Sequence, residues 1–212
     1  MFAVELTETG HYILKGLPDR LVAGVTGRRI NTTDYTAPDT EIRMSDRGLL
    51  ASLTGLPAER ILMLDQVHGS EILRIDEYPA GARASEGEAD GMITTLPGLC
   101  LVIRTADCVP VFLYDPVKRA MGAVHSGWKG TMLDITGKCI AMMADIYGSD
   151  PRSMLAFILP SIGPDSYEVN SDVARYFPHD TLEINGRLHV DLWGSIERSC
   201  TGSGLGRENI YN

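Results

Sequence analysis

The sequence predicts an α+β protein in which strands outnumber helices. Short aliphatic and β-branched segments recur between Ile61 and Leu159 without strict alternation with helices, which favours a layered α+β fold over a doubly wound parallel sheet. One long segment, Thr131 to Tyr147, carries its apolar residues at helical spacing. At 212 residues and 44% hydrophobic content, the chain is long enough to bury a sizeable core.

Taken in order, the polar stretch Arg28 to Thr40 reads as a mobile loop. Ser45 then reads as the cap of a short helix carrying Leu49, Leu50 and Leu53, ended by Gly55 and Pro57. Strands are expected at Ile61–Leu64, Ile72–Ile75, Gly91–Thr95, Leu99–Thr105, Val109–Tyr114, Ala120–His125 and Leu155–Leu159. In the helix, Met132, Ile135, Cys139, Met142, Met143 and Ile146 share one face. Asn185-Gly186 between two apolar runs is the dipeptide of a two-residue hairpin turn. Leu192, Ile196 and Cys200 mark a last amphipathic helix. No repeat, linker or shift in composition divides the chain, which reads as one domain over 1–212.

The formal charge of -9 is spread along the chain, which disfavours nucleic acid and anionic membranes as partners. There is no basic leader followed by an apolar stretch and no apolar run of about 20 residues, so a cytoplasmic protein is expected. The four cysteines form no Cys-x-x-Cys pair and are expected to be reduced.

Three residues stand where apolar runs break into polar turns: His68 in Asp-Gln-Val-His-Gly, Cys108 in Thr-Ala-Asp-Cys-Val-Pro-Val and His125 in Ala-Val-His-Ser-Gly-Trp-Lys-Gly. Two imidazoles and a thiolate can hold zinc and leave its fourth tetrahedral position open, as catalytic zinc requires. Pro110 argues against a continuous central strand through Cys108, whose thiol suits either a metal ligand or a nucleophile. Cys100, Cys139 and Cys200 read as small hydrophobes, and His11, His179 and His189 as structural residues. The turn Ser126 to Thr131 offers glycines and helix-start amides to an anion, with Lys129 as an added cation; Trp128 reads equally as cover for the core edge. Asp107 is placed either to orient a histidine or to bond its own turn.

Together with Ala-Asp-Gly-Met-Ile-Thr and Ile-Gly-Pro-Asp-Ser-Tyr-Glu-Val, these blocks occur in an order that resembles the YfiH-like family, from about Arg47 to Asp191. That family is labelled laccase-domain or polyphenol oxidase and understood as purine nucleoside phosphorylases. The resemblance implies a layered α/β/β/α sandwich with mixed sheets and a zinc ion on His68, Cys108 and His125. It further implies phosphorolysis of adenosine, inosine, guanosine and methylthioadenosine, with adenosine deaminase activity alongside. Arg47, Asp107 and Lys129 are the expected substrate-binding residues. The chain departs from the family at Thr26-Gly27-Arg28, at Asp46-Arg47 where Asn-Arg is customary, and in lacking the C-terminal Cys-Thr and Ser-x-Arg-Arg block.

Rival readings are a copper polyphenol oxidase, a Cys108–His125 hydrolase or peptidoglycan-precursor editing factor, and a catalytically weakened metal-binding module. Five histidines are too few for the oxygen-reducing cluster of a multicopper oxidase.

Overall fold

A six-stranded mixed sheet carries most of the core, and its strand order brings the ends of the central strands to the candidate ligands. The structure, a computed structural model, describes residues 3–6, 11–15, 23–26, 39–83 and 85–212. Strands β1 (Ala3–Leu6), β2 (His11–Lys15) and β3 (Gly24–Thr26) form an antiparallel three-stranded sheet, followed by helix α1 (Asp39–Thr54). Next come β4 (Ile61–Leu62), β5 (Ile72–Ile75), β6 (Gly91–Thr94), β7 (Cys100–Leu101), β8 (Val109–Asp115) and β9 (Ala120–Ser126). Helices α2 (Trp128–Met132) and α3 (Ile135–Tyr147) lead to β10 (Leu155–Ile158) and the short α4 (Ser171–Ala174). The hairpin β11 (Thr181–Ile184) and β12 (Arg187–Val190), helix α5 (Leu192–Gly202) and β13 (Ile210–Tyr211) complete the order.

In the large sheet the order is β13-β10-β8-β9-β6-β5. The inner pairs β10–β8, β8–β9 and β9–β6 are antiparallel, while the outer pairs β13–β10 and β5–β6 are parallel. This mixed sheet is the expected α+β arrangement. Strand alternation divides its two faces. Val109, Val111, Leu113, Val124, Ala156 and Ile158 pack with Ile135, Cys139, Ile140, Met143, Ile196 and Cys200 of α3 and α5. Phe112 and Phe157 point the other way, against Ala23 and Val25 beside β3, and Met92 packs with Leu62, Leu64 and Leu99 around β4 and β7. Helix α1 lies against β4, where Arg47 donates to the carbonyl of Ile61. From α3 and α5 the layers therefore run through the large sheet and the small sheets to α1.

Several elements differ from the sequence expectation. The long helix is interrupted: Asp134 adopts a left-handed conformation with φ 58°, and its carboxylate accepts from the Gly137 amide to cap α3 as a separate helix. Apolar spacing continues across the break, so periodicity does not reveal it. Helix α1 starts at Asp39 rather than behind Ser45. Of its three leucines, Leu49 and Leu50 are half-buried and Leu53 is exposed, whereas Arg47 is buried. The expected mobile loop lies outside the described residues except for Asp39 and Thr40, which open α1. Strand β7 is only Cys100–Leu101, because beyond Val102 the Gln66 side chain takes over the pairing, accepting from Arg104 N at 2.8 Å and donating to Arg104 O at 2.7 Å. As expected, no strand runs through Cys108: β8 begins at Val109, and it contains Pro110. Pro110 is the second residue of β8, opposite His125, where the ladder begins and one missing donor is tolerated.

The hairpin turn is as expected, with positive φ at both Asn185 and Gly186 (52° and 74°). Asp191 caps α5 by accepting from Gly194 N at 2.9 Å. Among the described residues no helix is long and apolar enough to cross a membrane.

Candidate metal centre

His125 is the penultimate residue of β9 and, next to Val124 of the helix-facing core, points to the opposite face of the sheet. Cys108 immediately precedes β8 and shares that face with Pro110, the register partner of His125. His68 arrives from the loop after β4, with a left-handed backbone at φ 58°. The ligating atoms of the three residues lie within 4.8 Å of one another. The two rings meet edge to face, with centroids 4.9 Å apart. Burial is graded across the site: His125 is buried, Cys108 half-buried and His68 exposed, which leaves one side open.

The donor set fits a divalent ion such as zinc. Zinc bonds of about 2.0–2.3 Å place tetrahedral donors roughly 3.5 Å apart, so small side-chain movements suffice to close the trio. Gly127 keeps this space clear, since a Cβ there would stand 2.8 Å from Cys108 Sγ. Gly130 serves a different contact: a Cβ would come within 3.1 Å of His125 O and 3.2 Å of Gly69 O. Helix α2 thus nests against the backbone of both histidine segments only because glycine occupies that position.

Proton affinities differ between the ligands. Burial lowers the His125 pKa against the opposing hydrogen bond and charge of Asp90, while nearby His68 lowers it further, so the neutral imidazole is favoured. Burial raises that of Cys108, and the charges of Asp107 and Asp90 raise it further. Cys108 is therefore a protonated thiol at neutral pH until a cation replaces the proton.

Sequence reasoning missed two residues that position the site. Asp90 is fully buried and bonds His125 Nδ1 at 2.8 Å. It also accepts from the amides of Val67, His68 and Gly69 at 3.2, 3.0 and 2.6 Å. Gln66 ties the same loop to Arg104, just upstream of Cys108. The only sequence signal for either was membership of the family-like blocks Ala-Asp-Gly and Asp-Gln-Val-His-Gly.

The expected substrate residues are distributed unevenly. Asp107, at φ 80°, lines a recess of about 50 Å³ beside Cys108, together with Trp128, Ile162, Tyr167 and Leu192. Lys129 is exposed in the first turn of α2. Arg47 is not brought to this cluster by any bond: its guanidinium is 1% exposed and engages Ala58 O, Ile61 O and Glu86. Trp128 stacks on Tyr176 and packs at the core edge. Cys139 and Cys200 are fully buried, with thiol pKa values pushed up to about 12, and Cys100 is pushed up to about 11. His189 Nδ1 bonds Pro164 O at 3.1 Å, and His179 is exposed.

Comparison with known proteins places these features in a family. The family described as multi-copper polyphenol oxidoreductase laccase matches residues 24–212. A purine nucleoside phosphorylase of Deinococcus radiodurans is 35% identical over 178 residues, covering 82% of this chain and 68% of the relative. One of Bacteroides thetaiotaomicron is 32% identical over 178 residues, covering 77% and 66%. The chain thus spans about two thirds of the length of these relatives. The crystal structure of the hypothetical protein YfiH from Bacillus licheniformis shares the fold with a TM-score of 0.86 at 25% identity, covering 98% of this chain and 86% of that one. In sequence and in fold, the chain belongs to the multi-copper polyphenol oxidoreductase laccase family.

Proposed function

We propose that the protein is a cytoplasmic, single-domain, zinc-dependent purine nucleoside phosphorylase. Its substrates are adenosine, inosine, guanosine and methylthioadenosine, with hydrolytic deamination of adenosine as a second activity. The observation that carries this reading is the convergence of His68, Cys108 and His125, with one side of the cluster open to solvent. The names of the Deinococcus and Bacteroides relatives support the reaction class.

His125, its Nδ1 engaged by Asp90, would offer Nε2 to the ion, and Cys108 would hold it as the thiolate. Bound zinc would supply a Lewis acid with an open position for a purine or water oxygen. The first amides of α2, which opens at Trp128 beside Cys108, and the exposed Lys129 offer a place for phosphate. In phosphorolysis a phosphate oxygen bonds C1′ of the ribose as the bond from C1′ to the purine nitrogen breaks, and the base leaves with a proton. Asp107 lines the recess beside Cys108, together with Trp128, and is assigned to substrate contact. Arg47 is assigned to the substrate side only through the segment it anchors to β4.

One observation favours a second reading. Cys108, His125 and Asp90 also stand in the order nucleophile, base and orienting carboxylate. Against it, the Cys108 thiol is shifted upward rather than activated, and His68 completes a metal trio. Metal analysis with separation of products from inosine and adenosine, with and without phosphate, decides between them. The expected result is zinc in the protein, hypoxanthine from inosine only with phosphate, and inosine from adenosine without it. Cys108→Ala should impair both reactions and Lys129→Ala only the phosphate-dependent one. Equal inosine cleavage without phosphate would replace the phosphorylase by a hydrolase, and alkylation of Cys108 undiminished by zinc would favour the nucleophile.

A further inference from the structure

We propose that Asp90 is the positioning residue of the metal centre, one carboxylate that sets the tautomer of His125 and the backbone of His68 together. The inference rests on the metal reading above. Asp90 is fully buried, and its hydrogen bonds divide evenly between its two oxygens. Oδ1 accepts from His68 N at 3.0 Å and pairs with His125 Nδ1 at 2.8 Å. Oδ2 accepts from Val67 N at 3.2 Å and Gly69 N at 2.6 Å. Its own backbone is fixed as well: the Asp90 amide donates to Glu71 O at 3.0 Å, and its carbonyl accepts from His125 N at 2.7 Å.

Three of the four donors are backbone amides that cannot become acceptors, so both oxygens must accept. A carboxylate side chain offers acceptor lone pairs at both ends, which an asparagine side chain does not. Because Oδ1 already accepts from the His68 amide, a proton on His125 Nδ1 completes the arrangement and leaves Nε2 as the lone-pair nitrogen for the ion. The same oxygens hold three successive amides around His68, whose left-handed φ of 58° is costly for a residue with a Cβ and persists only where its surroundings enforce it. One side chain thus presents a ligand from the loop after β4 and a ligand from β9 in the same step.

Asparagine is the discriminating replacement because it keeps the shape but can accept at only one end. With its NH2 in the place of Oδ2, it faces the Val67 and Gly69 amides and releases the His68 loop. Turned over, it faces the His68 amide and His125, which can bond it only by moving the ring proton to Nε2, the atom needed for the metal. Either orientation weakens the site.

The test measures zinc affinity by competition with a chromophoric chelator and reads the His125 tautomer in the zinc-free protein by long-range proton–nitrogen NMR. In the unsubstituted protein, His125 is expected as the Nδ1–H tautomer with a slowly exchanging ring proton. Asp90→Asn is expected to keep its circular dichroism, lose affinity for zinc by about 10–100-fold and either shift the His125 tautomer or broaden the His68 amide. Unchanged zinc affinity with an unchanged tautomer in folded Asp90→Asn would overturn the inference. If that variant does not fold, the unsubstituted protein decides alone: an Nε2–H tautomer for His125 overturns the inference and Nδ1–H supports it. Absence of zinc binding in the unsubstituted protein would defeat the metal reading instead, a result separable from the tautomer.

Discussion

At the scale of single residues, His125 and Cys108 differ in the direction in which the fold shifts their proton affinity. Burial keeps His125 neutral, while burial and two neighbouring carboxylates keep Cys108 protonated. Zinc uptake near neutral pH should therefore release about one proton, and apparent affinity should climb about tenfold per pH unit until the raised thiol pKa is passed. Calorimetry in buffers of different ionisation enthalpy checks this, and an affinity that is flat across neutrality would contradict it. His125 also makes a prediction for the metal-free fold. Its folded pKa lies below the ordinary imidazole value of about 6.5, so the unfolded chain binds the proton more readily. The associated stability is complete above about pH 6.5 and is lost as pH falls toward the folded value. Urea midpoints on either side of that pH, compared with those of His125→Asn, measure the effect.

Among the elements, the α2–α3 junction is the clearest case of a local device. Asp134 supplies the cap of α3, takes a left-handed backbone and accepts the Ser199 hydroxyl from α5. Asp134→Ala removes the cap yet retains a Cβ at positive φ, and should cost about 1–2 kcal/mol. Asp134→Gly suits the backbone and should cost less, because glycine is a tolerable cap. Thermal melting of the two variants makes the comparison, and an equal loss in both would show that cap geometry does not govern the junction. The neighbouring packing is equally specific. A Cβ on Gly122 of β9 would meet Cys139 Sγ at 2.9 Å and Met143 Sδ at 3.0 Å, so α3 approaches the sheet over a position that must stay small.

For the whole molecule, the candidate metal centre joins parts of the chain that otherwise meet through the sheet: the loop after β4, the start of β8 and the end of β9. A ligand that binds only the folded arrangement stabilises it by mass action. Free zinc at a hundredfold excess over its dissociation constant should add about 2.7 kcal/mol, a rise in Tm of about 5–10 °C for a chain of this size. Differential scanning calorimetry with zinc and then with a chelator measures the shift. Zinc should leave the Tm of folded Cys108→Ala nearly unchanged, and an equal rise in that variant would place the binding elsewhere.

Local spacing was enough to locate most strands, the Asn185-Gly186 hairpin and the α5 face, because alternation, helical period and positive-φ turn residues are properties of neighbouring positions. The ligand positions were legible for a similar reason: His68, Cys108 and His125 each end an apolar run. Tertiary structure decided what depends on partners remote in the chain. Asp90 acts on His125 from 35 residues away, Gln66 completes a ladder 38 residues on, and Gly127 and Gly130 are explained by contacts across loops rather than by anion binding alone. The break at Asp134 escaped the pattern because apolar periodicity records which face is buried, not whether the backbone bonds along it are continuous. Sequence thus determined which residues face inward and where the chain turns. Folding alone decided which of those turns meet, since that depends on sheet order and on the hydrogen-bond partners a buried carboxylate must find.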